Sequence, residues 1–179
     1  DGAGGVCRFS VQILPEGDPR SAALMSLRFS LPAWLLGRWL QRFGAGETER
    51  LALLALGPPE ITLRTKEGPV RPGQAGDVTA LPGWEEGEIS VQDAAAQAVV
   101  SEGVAPRKGE RILDLCAGVG GKACAMAERG ASVVAVDLSE PRLDRLRATA
   151  KRLGVSVEAR CLDVLSLPAE WKASFDAVL

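Results

Sequence analysis

The stretch DLCAGVGGKA, Asp114 to Ala123, decides the fold. Immediately before and into it, RILDL (111–115) has the apolar character of a buried strand. From its end, GKACAMAERG (121–130) reads as a helix stopped by Gly130. Outward from there the alternation continues. SVVAVD (132–137) is a second strand, and PRLDRLRATAKRLG (141–154) is a helix with Pro141 at its start and Gly154 at its end. VSVEARCLD (155–163) is a third strand and FDAVL (175–179) a fourth. Strand–helix–strand units of this length predict an α/β fold with a parallel sheet and right-handed crossovers. On the second helix, Leu143, Leu146, Ala150 and Leu153 form the stripe facing the sheet, and Arg142, Arg145, Arg147, Lys151 and Arg152 form a solvated face.

Upstream the pattern changes. CRFSVQIL (7–14) alternates like a strand. LPAWLLGRWLQRF (31–43) predicts a helix with Pro32 in its first turn and Leu35, Leu36, Trp39, Leu40 and Phe43 on one apolar face. GETERLALLAL (46–56) predicts a second helix, and EITLRT (60–65) a strand. Residues 66–88 are rich in glycine and proline and read as a loop and domain boundary. A helix through Ala94–Glu102, capped by Ser90 or Asp93, precedes Pro106. The expected division is therefore 1–88, a small helical and α+β region, and 89–179, the Rossmann-like domain.

Composition sets limits. The 179 residues are 46% hydrophobic and 25% charged, enough for a packed core. A net charge of -2 gives the whole chain no general attraction to nucleic acid. Arg20, Arg28, Arg38 and Arg42 lie in an acid-free segment from Pro19 to Gly46 and read as a solvated helix face. Histidine is absent, which removes histidine acid–base chemistry and Cys/His zinc sites. Cys7, Cys116, Cys124 and Cys161 have no C-x-x-C spacing and read as reduced, cytoplasmic thiols; no metal and no membrane span is expected. The start at Asp1 and the end within FDAVL read as cut ends.

In such sheets a ligand lies at the carboxyl ends of the strands. Gly118, Gly120 and Gly121 allow close approach of the backbone, and the following helix offers free N–H groups to an anion. Asp137 ends the second strand and suits a ribose diol. Asp163, at the end of the third, suits an exocyclic amine or the edge of an adenine pocket. Cys116 reads as a small packing residue, and Lys122 as a residue of the helix start. Two ligand classes share this geometry, nicotinamide or flavin dinucleotides and S-adenosylmethionine. Cys116 stands at the first glycine position of a dinucleotide motif, and Asp114 suits an ammonium or sulfonium better than a pyrophosphate. Both features favour S-adenosylmethionine.

VQDAAAQAVV (91–100), GERILDLCAGVGGKACAMAE (109–128), VVAVDLSEPRLDRLRATAKRLG (133–154), CLDV (161–164) and FDAVL together resemble the Sun/Fmu family of RNA 5-methylcytosine methyltransferases, and within it the bacterial branch acting on small-subunit ribosomal RNA. The resemblance covers about residues 31–179 and is strongest from Ile89 onward. LPAWLLGRWLQRFG and EITLRTK are similar to family segments upstream of the catalytic domain, and LPGWEEGEISVQD (81–93) to its entry hairpin. It implies a class I S-adenosylmethionine-dependent methyltransferase fold and RNA, ribosomal RNA above all, as partner. The family's cofactor loop, C-A-A-P-G-G-K, corresponds to Cys116, Ala117, Gly118, Val119, Gly120, Gly121 and Lys122. Asp137 takes the ribose position and Asp163 the adenine position. Gly118 and Val119 depart from the pattern, and without proline the loop is expected to be looser. The resemblance also places the two catalytic cysteines beyond Leu179, so that this chain is expected to hold the cofactor half alone and to be inactive by itself.

Overall fold

The computed structural model describes residues 14–57, 60–72 and 76–179. The expected strand at 7–14 lies, apart from Leu14, outside them. The chain divides into two compact units, residues 1–59 and Glu60–Leu179.

In the first unit, helix α1 spans Ala22–Phe29, capped by the Ser21 hydroxyl, which accepts from the Leu24 N–H. The sequence reading had no separate helix here. Helix α2 spans Ala33–Leu56 with non-helical backbone at Gly44 (φ 75°), so the two expected helices meet at a kink. The Thr48 hydroxyl donates to the Gly44 carbonyl at 2.7 Å across it. Met25, Phe29, Leu36 and Ala52 form the core, with Trp39 and Leu40 packed against it. Phe43, expected on that face, is 44% exposed. It sits in the turn that Gly44 interrupts, and the Arg42 guanidinium lies 5.4 Å from its ring. Arg20, Arg28, Arg38 and Arg42 are exposed, and Arg28 pairs with Glu49 at 2.7 Å.

The second unit contains two sheets. Strands β1 (Leu63–Thr65), β2 (Gly68–Val70) and β3 (Ser90–Val91) form an antiparallel sheet in the order β2-β1-β3. Strand β2 falls within the segment read as loop. Its Pro69 cannot donate to a ladder, which an edge strand tolerates. The expected hairpin at 81–93 is instead a run of turns leading into β3, which pairs with β1. Residues 60–88 thus belong with the second unit, whereas the sequence reading starts the Rossmann-like domain at 89. Helix α3 (Ala94–Ala98) is capped by Asp93, while Ser90 lies in β3. It continues as a wider turn, Val99–Val104, ending before Pro106.

The parallel sheet contains β4 (Arg111–Asp114), β5 (Ser132–Asp137), β6 (Val157–Cys161) and β7 (Ala177–Val178), in the order β6-β5-β4-β7. Helices α4 (Gly121–Glu128) and α5 (Glu140–Arg152) connect β4 to β5 and β5 to β6. The pleat sends alternate residues to opposite faces. Ile112, Val133 and Ala135 pack in one cluster with Ala123, Met126, Leu143 and Leu146 of the helices. Leu113, Val134 and Val136 meet Leu162, Leu167, Trp171 and Phe175 in another. The expected α/β fold with a parallel sheet is therefore present, with β4 at the point where strand order reverses. One arginine of the expected solvated face behaves otherwise: Arg152 donates to the Trp84 and Ile89 carbonyls and stacks 3.9 Å above the Trp84 ring.

Candidate functional site

The glycine loop leaves β4 beside the neighbouring strand. The Ala117 N–H donates to the Val136 carbonyl at 2.9 Å, and the Gly120 N–H to the Ala117 carbonyl at 2.9 Å. This pins a turn whose backbone is left-handed at Gly118 (φ 56°) and Gly120 (φ 87°). The two glycines serve different ends. A Cβ on Gly120 would stand 2.5 Å from Leu146 Cγ, so the absent side chain lets the loop sit against α5. A Cβ on Gly118 would meet nothing within 4 Å, so that face of the loop is open. Helix α4 starts directly afterwards with no side-chain cap. Its first-turn N–H groups are the kind that serve an anion.

Two carboxylates, Asp137 and Asp114, hold backbone N–H groups of the loop, and Asp163 is bonded to no residue of it. Asp137, at the end of β5, accepts from the Gly118 N–H through Oδ2 and from the Ser139 N–H through Oδ1, both at 2.9 Å. Arg142 of α5 is 3.8 Å from Oδ2. Asp114 is 1% exposed. Its Oδ1 accepts from the Cys116 N–H at 3.2 Å, and its Oδ2 has no partner. Burial pushes the Asp114 carboxyl above its ordinary value, opposed by the Cys116 N–H and the charge of Lys122 and reinforced by Asp137. Asp163 is exposed and lies beyond the end of β6, which closes at Cys161. There it caps a short turn, accepting from the Leu165 N–H at 2.9 Å.

The three thiols among the described residues occupy three environments. Cys116, expected to be a small packing residue, is exposed because the chain has already turned out of the sheet. Cys124 is fully buried on α4, and burial pushes its thiol up to about 11. Cys161 is exposed, and its thiol is raised chiefly by desolvation, then by Glu140. Val119 is 48% exposed at the tip of the loop, and Lys122 is half-buried.

Two polar residues were missed by sequence reasoning. Arg64 of β1 is 8% exposed and makes two 3.0 Å bonds to the Glu128 carboxylate. Its Nη1 also donates to Gln92 Oε1 at 2.6 Å and to the Gly121 carbonyl at 3.0 Å. Arg64 thereby touches both the first and the last residue of α4. Gln92 is 6% exposed, and its Nε2 has no partner. The sequence signal was two glutamines, 92 and 97, flanking the Asp93 cap in a largely apolar run. A cleft of about 720 Å³ is lined by Arg64, Gly68, Gln97, Ser101, Glu128 and others, but by no residue of the loop and neither Asp137 nor Asp163. Among the described residues no group of three or more His, Cys, Asp or Glu side chains could hold a metal ion. No described helix is long and apolar enough to cross a membrane.

Residues 112–179 match a protein family described as "Methyltransferase domain". Over 106 residues, 57% of this chain, the sequence is 47% identical to "Ribosomal RNA small subunit methyltransferase B" of Citrobacter koseri and 45% identical to the protein of that name from Escherichia coli. The chain spans about a quarter (24%) of the length of these curated relatives. A methyltransferase homologue from Pyrococcus horikoshii superposes with a TM-score of 0.71 at 22% identity, covering 88% of this chain and 61% of that one, which shows the shared fold. Residues 112–179 are thus similar to a methyltransferase domain, and over 106 residues the chain is similar to ribosomal RNA small subunit methyltransferases B.

Proposed function

We propose that this chain carries the S-adenosylmethionine site of an RNA cytosine-5 methyltransferase. The observation that carries the cofactor reading is the partnerless Oδ2 of Asp114, inside a strand end next to the glycine loop. A buried carboxylate oxygen without a donor calls for a cation or an N–H. An ammonium group supplies both, whereas a pyrophosphate would set like charges together. The remaining residues fit the same ligand. Asp137 has lone pairs left for a ribose diol after its two backbone bonds. Cys116, Ala117, Gly118, Val119, Gly120, Gly121 and Lys122 supply the open loop and helix start against which the amino-acid end lies. Asp163 holds the turn bordering the adenine. When bound, the cofactor supplies a methyl group on a sulfonium.

RNA as substrate, ribosomal RNA first, rests on the names of the relatives, and the cytosine-5 position on the motif resemblance. Cys124, buried and with a raised thiol, does not offer the thiolate that attack on a base requires. Titration calorimetry with S-adenosylmethionine, S-adenosylhomocysteine and NAD tests the cofactor; preference for NAD would refute the reading. Labelled methyl transfer by the full-length protein to unmodified small-subunit ribosomal RNA tests the substrate. Label on cytosine carbon 5 is expected, and label on another base or none would reject it.

A further inference from the structure

Gln92 is held on three sides. Its N–H donates to the Thr62 carbonyl at 3.0 Å, its carbonyl accepts from Gln97 Nε2 at 2.9 Å, and its Oε1 accepts from Arg64 at 2.6 Å. Arg64 has only donors, so the Gln92 amide has a defined sense: oxygen toward the guanidinium, nitrogen away from it. That nitrogen carries two N–H groups, is buried, and has no acceptor. It lies 3.8 Å from where a Cβ on Gly121 would stand, at the first residue of α4.

Gly121 itself raises a second point. Its backbone is not left-handed, and a Cβ there would make ordinary van der Waals contact. Neither strain nor crowding within the protein asks for glycine at this position, unlike Gly120. Two orphaned polar atoms of opposite character, an acceptor on Asp114 and a donor on Gln92, are therefore associated with the same loop and helix start.

We propose that Gln92 Nε2 donates to the carboxylate of the cofactor's amino-acid end, beside Gly121, while Asp114 receives its ammonium group. The proposal rests on the S-adenosylmethionine reading and refines it: the site selects a zwitterionic α-amino acid group, and Gln92 is the residue that selects its anionic half. Arg64 is the positioning residue, because it fixes which way the amide points.

The test compares three ligands on the native 179-residue chain and on Gln92→Glu. This variant keeps an oxygen for Arg64 and replaces the donor by an anionic oxygen. The ligands are S-adenosylmethionine, its decarboxylated analogue, which keeps the ammonium and sulfonium, and 5′-methylthioadenosine, which lacks the amino-acid group. The native chain is expected to bind S-adenosylmethionine at least about tenfold more tightly than the decarboxylated analogue, as one hydrogen bond to a charged group implies. In Gln92→Glu that gap is expected to close to within about twofold, with 5′-methylthioadenosine affinity held and the melting temperature confirming the fold. A gap that persists in the folded variant gives the carboxylate to another group and overturns the assignment. So does a native chain that binds both sulfonium ligands equally. A native chain that binds none of the three overturns the cofactor reading, and the assignment with it. Should the variant fold poorly, the side-chain amide resonances of Gln92 in the native chain decide. They are expected to shift with S-adenosylmethionine and not with the decarboxylated analogue; equal response to both would overturn the assignment.

Discussion

The Asp137 carboxylate at the end of β5 holds the Gly118 N–H of the glycine loop at 2.9 Å, so the residue expected to bind ribose already organises the loop in the free chain. Its other oxygen holds the Ser139 N–H at the same distance. Asp137→Ala is therefore expected to act twice. It should weaken S-adenosylhomocysteine binding at least about tenfold, through lost charge-assisted hydrogen bonds. It should also lower stability by about 1–3 kcal/mol, because two backbone donors lose their acceptor. Calorimetry and urea unfolding read the two effects separately. Unchanged affinity in a folded variant would reduce Asp137 to a loop support.

The glycines of the loop should differ in their tolerance of alanine. Gly118→Ala meets open space and pays only for the left-handed backbone, about 1–2 kcal/mol. Gly120→Ala adds a collision with Leu146 at 2.5 Å and is expected to exceed about 3 kcal/mol in total. Thermal melts of the two variants test the order; equal losses would contradict the close packing of loop and α5.

Asp114 should make stability depend on pH in a sense opposite to that of a salt-bridged acid. Its folded value is raised by burial above the ordinary 3.8. The cost of its charged form is then fully present above the raised value and disappears as pH falls below 3.8. Asp114→Asn removes that charge. Its melting temperature is expected to exceed the native one near pH 7, with the difference shrinking as pH falls toward 3.8. The same variant should bind S-adenosylmethionine at least about tenfold more weakly, because the ammonium loses its counter-charge. A variant less stable than native at every pH would show that the orphaned oxygen is not a burden in the free chain.

Loss of Arg64 should be among the most damaging changes away from the loop. Arg64→Met leaves Gln92 Oε1 and the Glu128 carboxylate without their shared donor. Leaving the buried Gln92 oxygen without its donor, with Glu128 partly open to solvent, is expected to cost about 1–3 kcal/mol. Glu128→Gln, which keeps a hydrogen-bond acceptor at a partly exposed position, should cost less. Chemical unfolding measures both, and a greater loss in Glu128→Gln would refute the central place of Arg64.

Thiol labelling offers a direct view of the site. Cys116 and Cys161 should react with iodoacetamide near pH 8 while Cys124 stays protected by burial. Bound S-adenosylmethionine should slow labelling at Cys116 and leave Cys161 little changed. Mass spectrometry of the labelled peptides checks the pattern, and equal rates at Cys116 with and without cofactor would remove it from the site.

The sequence made legible whatever is written locally. Buried parallel strands show as short apolar runs, and the glycines around Gly120 mark the loop, so β4 through β7 and Asp137 were readable in order. Strand β2 was not, because Gly68 and Pro69 are turn formers in most settings and only pairing with β1 makes them a strand. Phe43 had the spacing of a core residue, but the kink at Gly44 ended the face that would have covered it. Asp163 was assigned to a strand end, where its own capping bond to Leu165 draws it into a turn. Arg64 and Gln92 depend on partners 64 and 28 positions apart in the chain, which no periodicity within one segment can announce.

The tie from Arg64 to both ends of α4 bears on how this domain can be dissected. A polypeptide begun at Ile89, where the family resemblance becomes strongest, would keep Glu128 and Gln92 but lack the guanidinium that joins them. It would also leave β3 without β1 beside it. Excision at Glu60 retains all of these partners. A shorter piece that precipitates or melts early would therefore report a missing arginine and a missing strand, and would be no measure of how well the Rossmann-like half holds its ligand.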